Sequence, residues 1–478
     1  MNLFRKKDVG ELIAESQGSG LRRCLSATGL VMLGIGAIVG TGIFVVTGQA
    51  AAQYAGPALT ISFVFSAIGC VLAALCYAEF ASMIPVSGSV YSYSYATIGE
   101  FMAWFIGWDL ILEYVFAVSS VAVGWSGYVC NLLAGWGLDL PANITQATLN
   151  YFPDSGWAFS GSIINFPAFF IVALVSALLM NGIKESSWVN GFIVVIKVSV
   201  ILLFIGFGIS YIDTSNYVPY IPENTGEFGN YGWSGIMRAA AVVFYAYLGF
   251  DALSTAAQEV RNPQKDMPKG ILISLLICAL LYVGVTAVLT GVVNYTELNV
   301  DAPIALAIDK AGEGLNWLSP FIKLGAIAGI SSVILVMMLG QSRIYYAIAK
   351  DGMLPKVFSK VNARKGTPQN ATIFACIVSG LIAGLFPLQV LVEMVSIGTL
   401  MAFTIVCISI IVLRHTRPDL HRPFRVPWVP TIPILGAVIC LLQMFSLPLG
   451  TWLRLIIWML IGFVIYFLYG KRHSLLNK

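Results

Sequence analysis

Charge is what this chain has least of: only 10% of its 478 residues are Asp, Glu, Lys or Arg, against 58% hydrophobic. A soluble globular domain carries about a quarter charged residues, so a water-facing surface cannot be built from this composition. Soluble, disordered and nucleic-acid-binding classes are excluded. Histidine occurs three times (His415, His421, His473), always in polar connecting segments. The eight cysteines (Cys24, Cys70, Cys76, Cys130, Cys278, Cys376, Cys407, Cys440) lie scattered, mostly in apolar runs, with no C-x-x-C pair. That spacing gives no disulfide or zinc framework and reads as small apolar packing residues. There is no G-x-x-x-x-G-K-[ST] loop and no H-E-x-x-H, so direct ATP coupling and zincin chemistry are disfavoured. No nucleophile–base or metal cluster marks an enzyme, and no cofactor is expected.

What is present is a succession of apolar runs. Read between Gly, Pro, Asn and charged breaks, they give twelve spans: 27–53, 57–82, 98–130, 164–183, 188–211, 235–259, 269–293, 319–347, 369–386, 390–413, 430–447 and 450–470. A transmembrane helix needs about 20 apolar residues, so the chain reads as an all-α polytopic membrane protein whose partner is the lipid bilayer. The N-terminal stretch to Arg23 is polar and basic, without the apolar centre of a cleavable signal peptide. With the N-terminus placed in the cytosol, 22 of the 27 Lys and Arg residues fall on that side, and the segments 131–163 and 212–234 have acids but no Lys or Arg. This positive-inside bias predicts that both termini are cytoplasmic in a cell-membrane protein.

Few ionisable residues remain within the spans: Glu79, Asp109, Glu113, Lys197, Asp251 and Glu393. Each costs about 2.5–3.5 kcal/mol or more at mid-membrane depth, so such groups face a partner or a wet cavity. Glu79 and Asp109 lie near a helix end, where reaching water is an equal alternative. Lys197 has apolar residues for two turns on either side. Snorkelling from there leaves its ammonium short of bulk water, and burial draws a lysine towards physiological pH. Taking and releasing a proton is the favoured reading, with a structural role capping helix-end carbonyls as the alternative.

Two spans carry interruptions. The stretch 34–44 holds Gly34, Gly36, Gly40 and Gly42 followed by Ile43 and Phe44. A glycine costs about 1 kcal/mol relative to alanine in a helix. Gly36 and Gly40 alone would fit close helix packing; four glycines beside Thr41 point to unwinding. Non-helical backbone at that depth must line a cavity or be buried in protein. There, first-turn amides suit a carboxylate and freed carbonyls suit an ammonium. In 244–255, Gly249, Asp251 and Ser254 interrupt the sixth span similarly. Interruptions at matching places in two halves are the sequence mark of a transporter's binding site. They match if each half has five helices, and an odd number makes the halves inverted.

These residues resemble an amino acid permease of the amino acid–polyamine–organocation superfamily, in the bacterial branch of the cationic amino acid transporter family. The resemblance rests on the stretch 34–44, on Tyr77–Ala78–Glu79–Phe80 with Pro85–Val86–Ser87–Gly88–Ser89, on 107–114, on 249–268, and on Arg422–Pro423–Phe424–Arg425–Val426–Pro427. It implies a LeuT-type fold: a cytosolic segment 1–26, a repeat 27–211, its inverted copy 235–413, two further helices 430–470 and a cytosolic tail 471–478. It also implies a site in which the amides around Gly40, Thr41 and Gly42 meet a substrate carboxylate. The carbonyls of Ile38, Tyr245 and Leu248 meet the amine, and Tyr245 gates. Gly329, Ile330 and Ser331 shape the side-chain pocket. Lys197 stands where other members bind sodium and, with Glu113, couples a proton. Ile330 is bulky for a long cationic side chain, and no acid stands ready for a guanidinium. The expected function is therefore proton-coupled uptake of small to medium neutral amino acids. Cationic or broad-specificity transport, or a non-transporting amino acid sensor on the same fold, are the alternatives. Small membrane-protein partners are left open.

Overall fold

The computed structural model describes residues 5–7, 25–83, 89–152, 156–181, 187–251, 253, 260–312, 314–362, 365 and 367–475. The stretch 85–88, Lys184 and Ser254 lie outside the described residues.

The chain opens with α1 (Ala27–Ile38), whose first turn is capped by the Ser26 hydroxyl accepting from Gly29 N at 3.2 Å. After a break, π-helical and short α-helical turns carry it from Gly42 to Ala55. A tight turn, Gly56–Ala58, then leads into α2 (Leu59–Met83). Gly56 has φ +57°, a left-handed conformation that favours glycine. A short helix α3 (Ser89–Thr97) precedes the long α4 (Glu100–Gly135). An antiparallel hairpin follows, β1 (Leu149–Phe152) with β2 (Gly156–Phe159), Asn150 opposite Ala158. Next come α5 (Phe166–Met180), α6 (Ser187–Gly208) and α7 (Gly232–Val243). The second part comprises α8 (Pro263–Val292), α9 (Pro303–Lys310), α10 (Ser319–Lys350), α11 (Gln369–Leu385) and α12 (Leu388–Thr416). The chain closes with α13 (Thr431–Ser446) and α14 (Leu449–Ile465).

Seven helical stretches among the described residues are long and apolar enough to cross a membrane, and α1, α5, α11 and α13 are shorter apolar helices. α4 packs against α10 and α12, and α8 against α1 and α2, so the broken first helix sits inside the bundle. By contrast, α5 exposes Phe166, Phe170, Leu174 and Leu178, a stripe at helical spacing that hydrocarbon can cover. The sequence reading placed no regular structure at the hairpin, α3 or α9.

The ends of the bundle differ. On the terminal face, Lys7 donates to Asp351 Oδ1 (2.9 Å), Tyr91 to Asp351 Oδ2 (2.7 Å), and Leu475 N to the Asp351 carbonyl (3.2 Å). Ser474 and Tyr466 meanwhile donate to the Glu100 carboxylate. Both chain ends are thereby tied to α3, α4 and the end of α10. The hairpin and α9 occupy the opposite, hairpin face.

The alternative that Glu79 and Asp109 reach water is corrected: both are wholly buried. Glu79 accepts from Arg414 Nε (3.1 Å) and Nη2 (2.6 Å) and from Val426 N (2.7 Å), with Arg422 Nε at 3.4 Å. One carboxylate thus joins α2 to the end of α12 and the segment after it. Removing one partner of a buried ion pair leaves the other charge uncompensated. Glu79→Gln is therefore expected to lower stability by about 3 kcal/mol, read as a fall in the Tm of purified protein. An unchanged Tm would mean that Arg414 and Arg422 find water instead.

Candidate functional site

The first break is short and sharp. α1 ends at Ile38, Val39 turns extended (φ −75°, ψ 102°), and π-helix resumes at Gly42. Gly34 and Gly36 remain inside α1; a Cβ on Gly34 would lie 2.5 Å from Ser274 Oγ on α8. Gly34 therefore serves close packing, and only Gly40 and Gly42 flank the break. The amides of Thr41 and Gly42 open the second half-helix, where first-turn N–H groups have no intrahelical acceptor.

The second break follows α7. A 3-10 turn, Phe244–Tyr247, ends where Leu248 turns extended (ψ 142°), and Gly249 takes φ +113°. The Gly249 amide donates to Asp251 Oδ1 at 3.2 Å.

The breaks interlock through their glycines. A Cβ on Gly42 would lie 2.4 Å from Ala246 Cα, and one on Gly249 would lie 2.8 Å from the Ala37 carbonyl carbon. Tyr282, from α8, stitches them together, its hydroxyl 3.0 Å from the Ile38 carbonyl and 2.8 Å from that of Ala246. Lys197 on α6 holds the first break from the other side. Its ammonium donates to Gly36 O (2.7 Å), Val39 O (2.9 Å) and Ser332 Oγ (3.1 Å), with Gly329 O at 3.5 Å, and the residue is wholly buried. α6 comes this close to α10 because Gly329 carries no side chain: a Cβ there would sit 3.3 Å from Lys197 Cβ.

A model of the amino acid permease family matches residues 25–469. The chain belongs to the amino acid permease family. Over 477 residues, all of both chains, it is 48% identical to the methylthioribose transporter of Bacillus subtilis (strain 168). It is also 48% identical, over its whole length and 99% of the relative's, to the branched-chain amino acid permease BcaP of the same organism. The vacuolar cationic amino acid transporter 2 of Arabidopsis thaliana is 38% identical over 87% of this chain and 64% of its own. As an amino acid permease the chain is a multi-pass membrane protein and not an enzyme.

In this permease the residues expected to meet substrate are all buried: Ile38, Gly40, Thr41, Gly42, Tyr245, Leu248 and Ile330. The structure is closed around them. Tyr245 shares a 2.9 Å hydrogen bond with Ser120 of α4. Beside it, the buried Thr41 hydroxyl makes no hydrogen bond of normal geometry among the described residues. Of the carbonyls assigned to the amine, that of Ile38 faces Tyr282 and that of Tyr245 accepts from Leu248 N at 3.1 Å. Ser331, next to Ile330, accepts from Trp125 Nε1 at 2.9 Å. Gly124 makes room for Thr41, whose Cγ2 would lie 2.5 Å from a Cβ there.

Glu113 is one turn from Asp109 on α4, and both are buried. Among the described residues, neither Asp109 oxygen has a hydrogen-bond partner. Glu393 belongs elsewhere, accepting from Thr451 Oγ1 (2.6 Å) and Arg454 Nη1 (3.3 Å) towards the hairpin face.

Sequence reasoning missed Tyr282, Ser120, Ser332, Trp125 and Ala246. Ser332 and Ser120 are ordinary residues of apolar helices, and Tyr282 lies in an apolar run with only its hydroxyl as a signal. The interlock itself leaves no trace in either segment alone.

Proposed function

We propose that the chain carries small to medium neutral L-amino acids into the cell by alternating access, coupled to proton movement. The observation that supports this most is the tethered cation: Lys197 places an ammonium on the carbonyls of Gly36 and Val39, as a bound metal cation would. Only its proton can leave. Gly40, Thr41 and Gly42 would take the substrate carboxylate, and the carbonyls of Ile38, Tyr245 and Leu248 its amine. Tyr245 would act as gate, Ile330 as a wall of the side-chain pocket, and Glu113 as an acid aiding proton transfer. The proposed frame is twelve spans with 27–211 and 235–413 as inverted repeats, and both termini cytoplasmic at the cell membrane. The breaks after α1 and α7 support this pairing.

The branched-chain relatives, in Bacillus subtilis and at 35% identity in Lactococcus lactis subsp. cremoris (strain MG1363), support a neutral side chain. The equally similar methylthioribose transporter supports a second reading. A thioether sugar has neither carboxylate nor ammonium, so it would leave the amide–carbonyl pair of the breaks without charged partners. Proteoliposomes given an inside-alkaline pH gradient are expected to accumulate labelled L-alanine or L-leucine without sodium. Accumulation that requires sodium and survives collapse of the pH gradient would overturn the coupling. Accumulation of methylthioribose alone would overturn the substrate class.

A further inference from the structure

On the hairpin face, away from the breaks, seven residues wall a partly open cavity of about 200 Å³. They come from the C-terminal end of α4 (Leu132, Gly135, Trp136), from α9 (Asp309) and from the first turns of α10 (Ser319, Pro320, Lys323). Lys323 is only 8% exposed. Its ammonium stands 3.5 Å from Asp309 Oδ2, and it makes no hydrogen bond among the described residues. Asp309 instead accepts from Ser319 Oγ at 2.8 Å. Lys323 and Asp309 thus form a long ion pair on the cavity wall, leaving ammonium donor positions open to a ligand's carboxylate. The positive end of α10 adds to this. Asp309 supplies an acceptor beside that ammonium, and Trp136 presents an exposed ring at the rim.

We propose that this cavity is a second binding site for small carboxylates, its ligand a zwitterionic α-amino acid. The carboxylate lies on Lys323 and the start of α10, the ammonium on Asp309, and the side chain against Leu132 and Trp136. The volume of about 200 Å³ suits a ligand the size of a single amino acid, below the ~300–1,000 Å³ typical of drug-sized ligands. Occupancy bridges α4, α9 and α10. α9 begins at Pro303, which packs over Gly48 of the half-helix beyond the first break; a Cβ on Gly48 would lie 2.4 Å from Pro303 Cβ. The site therefore grips an element that covers this half-helix on the hairpin face.

The test is the tryptophan fluorescence of detergent-purified protein titrated with L-alanine, L-leucine and sodium acetate. A saturable Trp136 component, the wild-type change minus that of Trp136→Phe, is expected with the amino acids. It should weaken about tenfold or more in both Lys323→Gln and Asp309→Asn, since each removes one charge-assisted contact. Acetate should bind more weakly and respond to Lys323→Gln alone. A Trp136 signal absent from the wild type, or unchanged in both charge variants, overturns the site. Acetate matching alanine, with no effect of Asp309→Asn, overturns the zwitterion and leaves a plain anion site. The same titration in Gly42→Ala should keep the Trp136 signal, so failure here is distinguishable from failure of the transport reading.

Discussion

Uptake driven by an inside-alkaline pH gradient is expected to fall by more than about 100-fold in Lys197→Ala, equivalent to at least about 2.7 kcal/mol of lost transition-state stabilisation. Substrate binding should persist in part. The expectation follows from what the ammonium holds: the Gly36 and Val39 carbonyls at the first break and the Ser332 hydroxyl on α10. Removing it leaves buried acceptors without a donor, at about 1–3 kcal/mol each, and deletes the proton that the proposed cycle moves. Binding should survive because the amides of Thr41 and Gly42 belong to the backbone. Labelled uptake in proteoliposomes and equilibrium binding in detergent separate the two effects. Undiminished gradient-driven uptake would reduce Lys197 to a structural clamp.

Gly42→Ala should be as severe for a different reason. The added methyl would lie 2.4 Å from Ala246 Cα and 2.5 Å from Ala246 Cβ. Backbone cannot turn aside as a side chain can, and Tyr282 pins the Ala246 carbonyl at 2.8 Å. Overpacking of this kind costs about 1–3 kcal/mol, here at the place where the two breaks meet, so uptake should fall to background. Gly40→Ala is the internal control. Its Cβ would meet Val333 Cγ2 at 3.0 Å, a side chain that can shift. Gly40→Ala should retain at least about tenfold more uptake, the equivalent of about 1.4 kcal/mol. Equal activity in the two variants would show that helix propensity, not the interlock, governs this segment.

The apolar runs were legible because burying an unpaired backbone in hydrocarbon forces long helices, and hydropathy registers that directly. The hairpin, α3 and α9 were not, because they lie between the runs, where no such pressure writes a pattern. Glycine counting found the first break but overstated it: Gly34 answers to Ser274 on another helix, a demand local sequence cannot display. Glu79 showed the same limit. Its partners Arg414, Arg422 and Val426 lie more than 330 residues away, so an interior ion pair looked like a charge at a helix end. In the site, Lys197 stood out because a charge amid apolar residues is rare, whereas Tyr282 was camouflaged by its ring. The strongest signals came from residues that are expensive where they stand, and the weakest from residues that only become important through a neighbour.

Tyr282 also bears on how firmly any cargo can be held. Its phenol already lies within hydrogen-bonding distance of a carbonyl from each broken helix. In the proposed site an ammonium arriving at the Ile38 carbonyl would compete with this resident donor, and its gain would be a difference between two sets of hydrogen bonds. In the proposed cycle the same phenol, with its single O–H, would serve one of those carbonyls at a time on the return leg without cargo. Under that proposal, a fold that supplies its own placeholder would exchange tight binding for turnover.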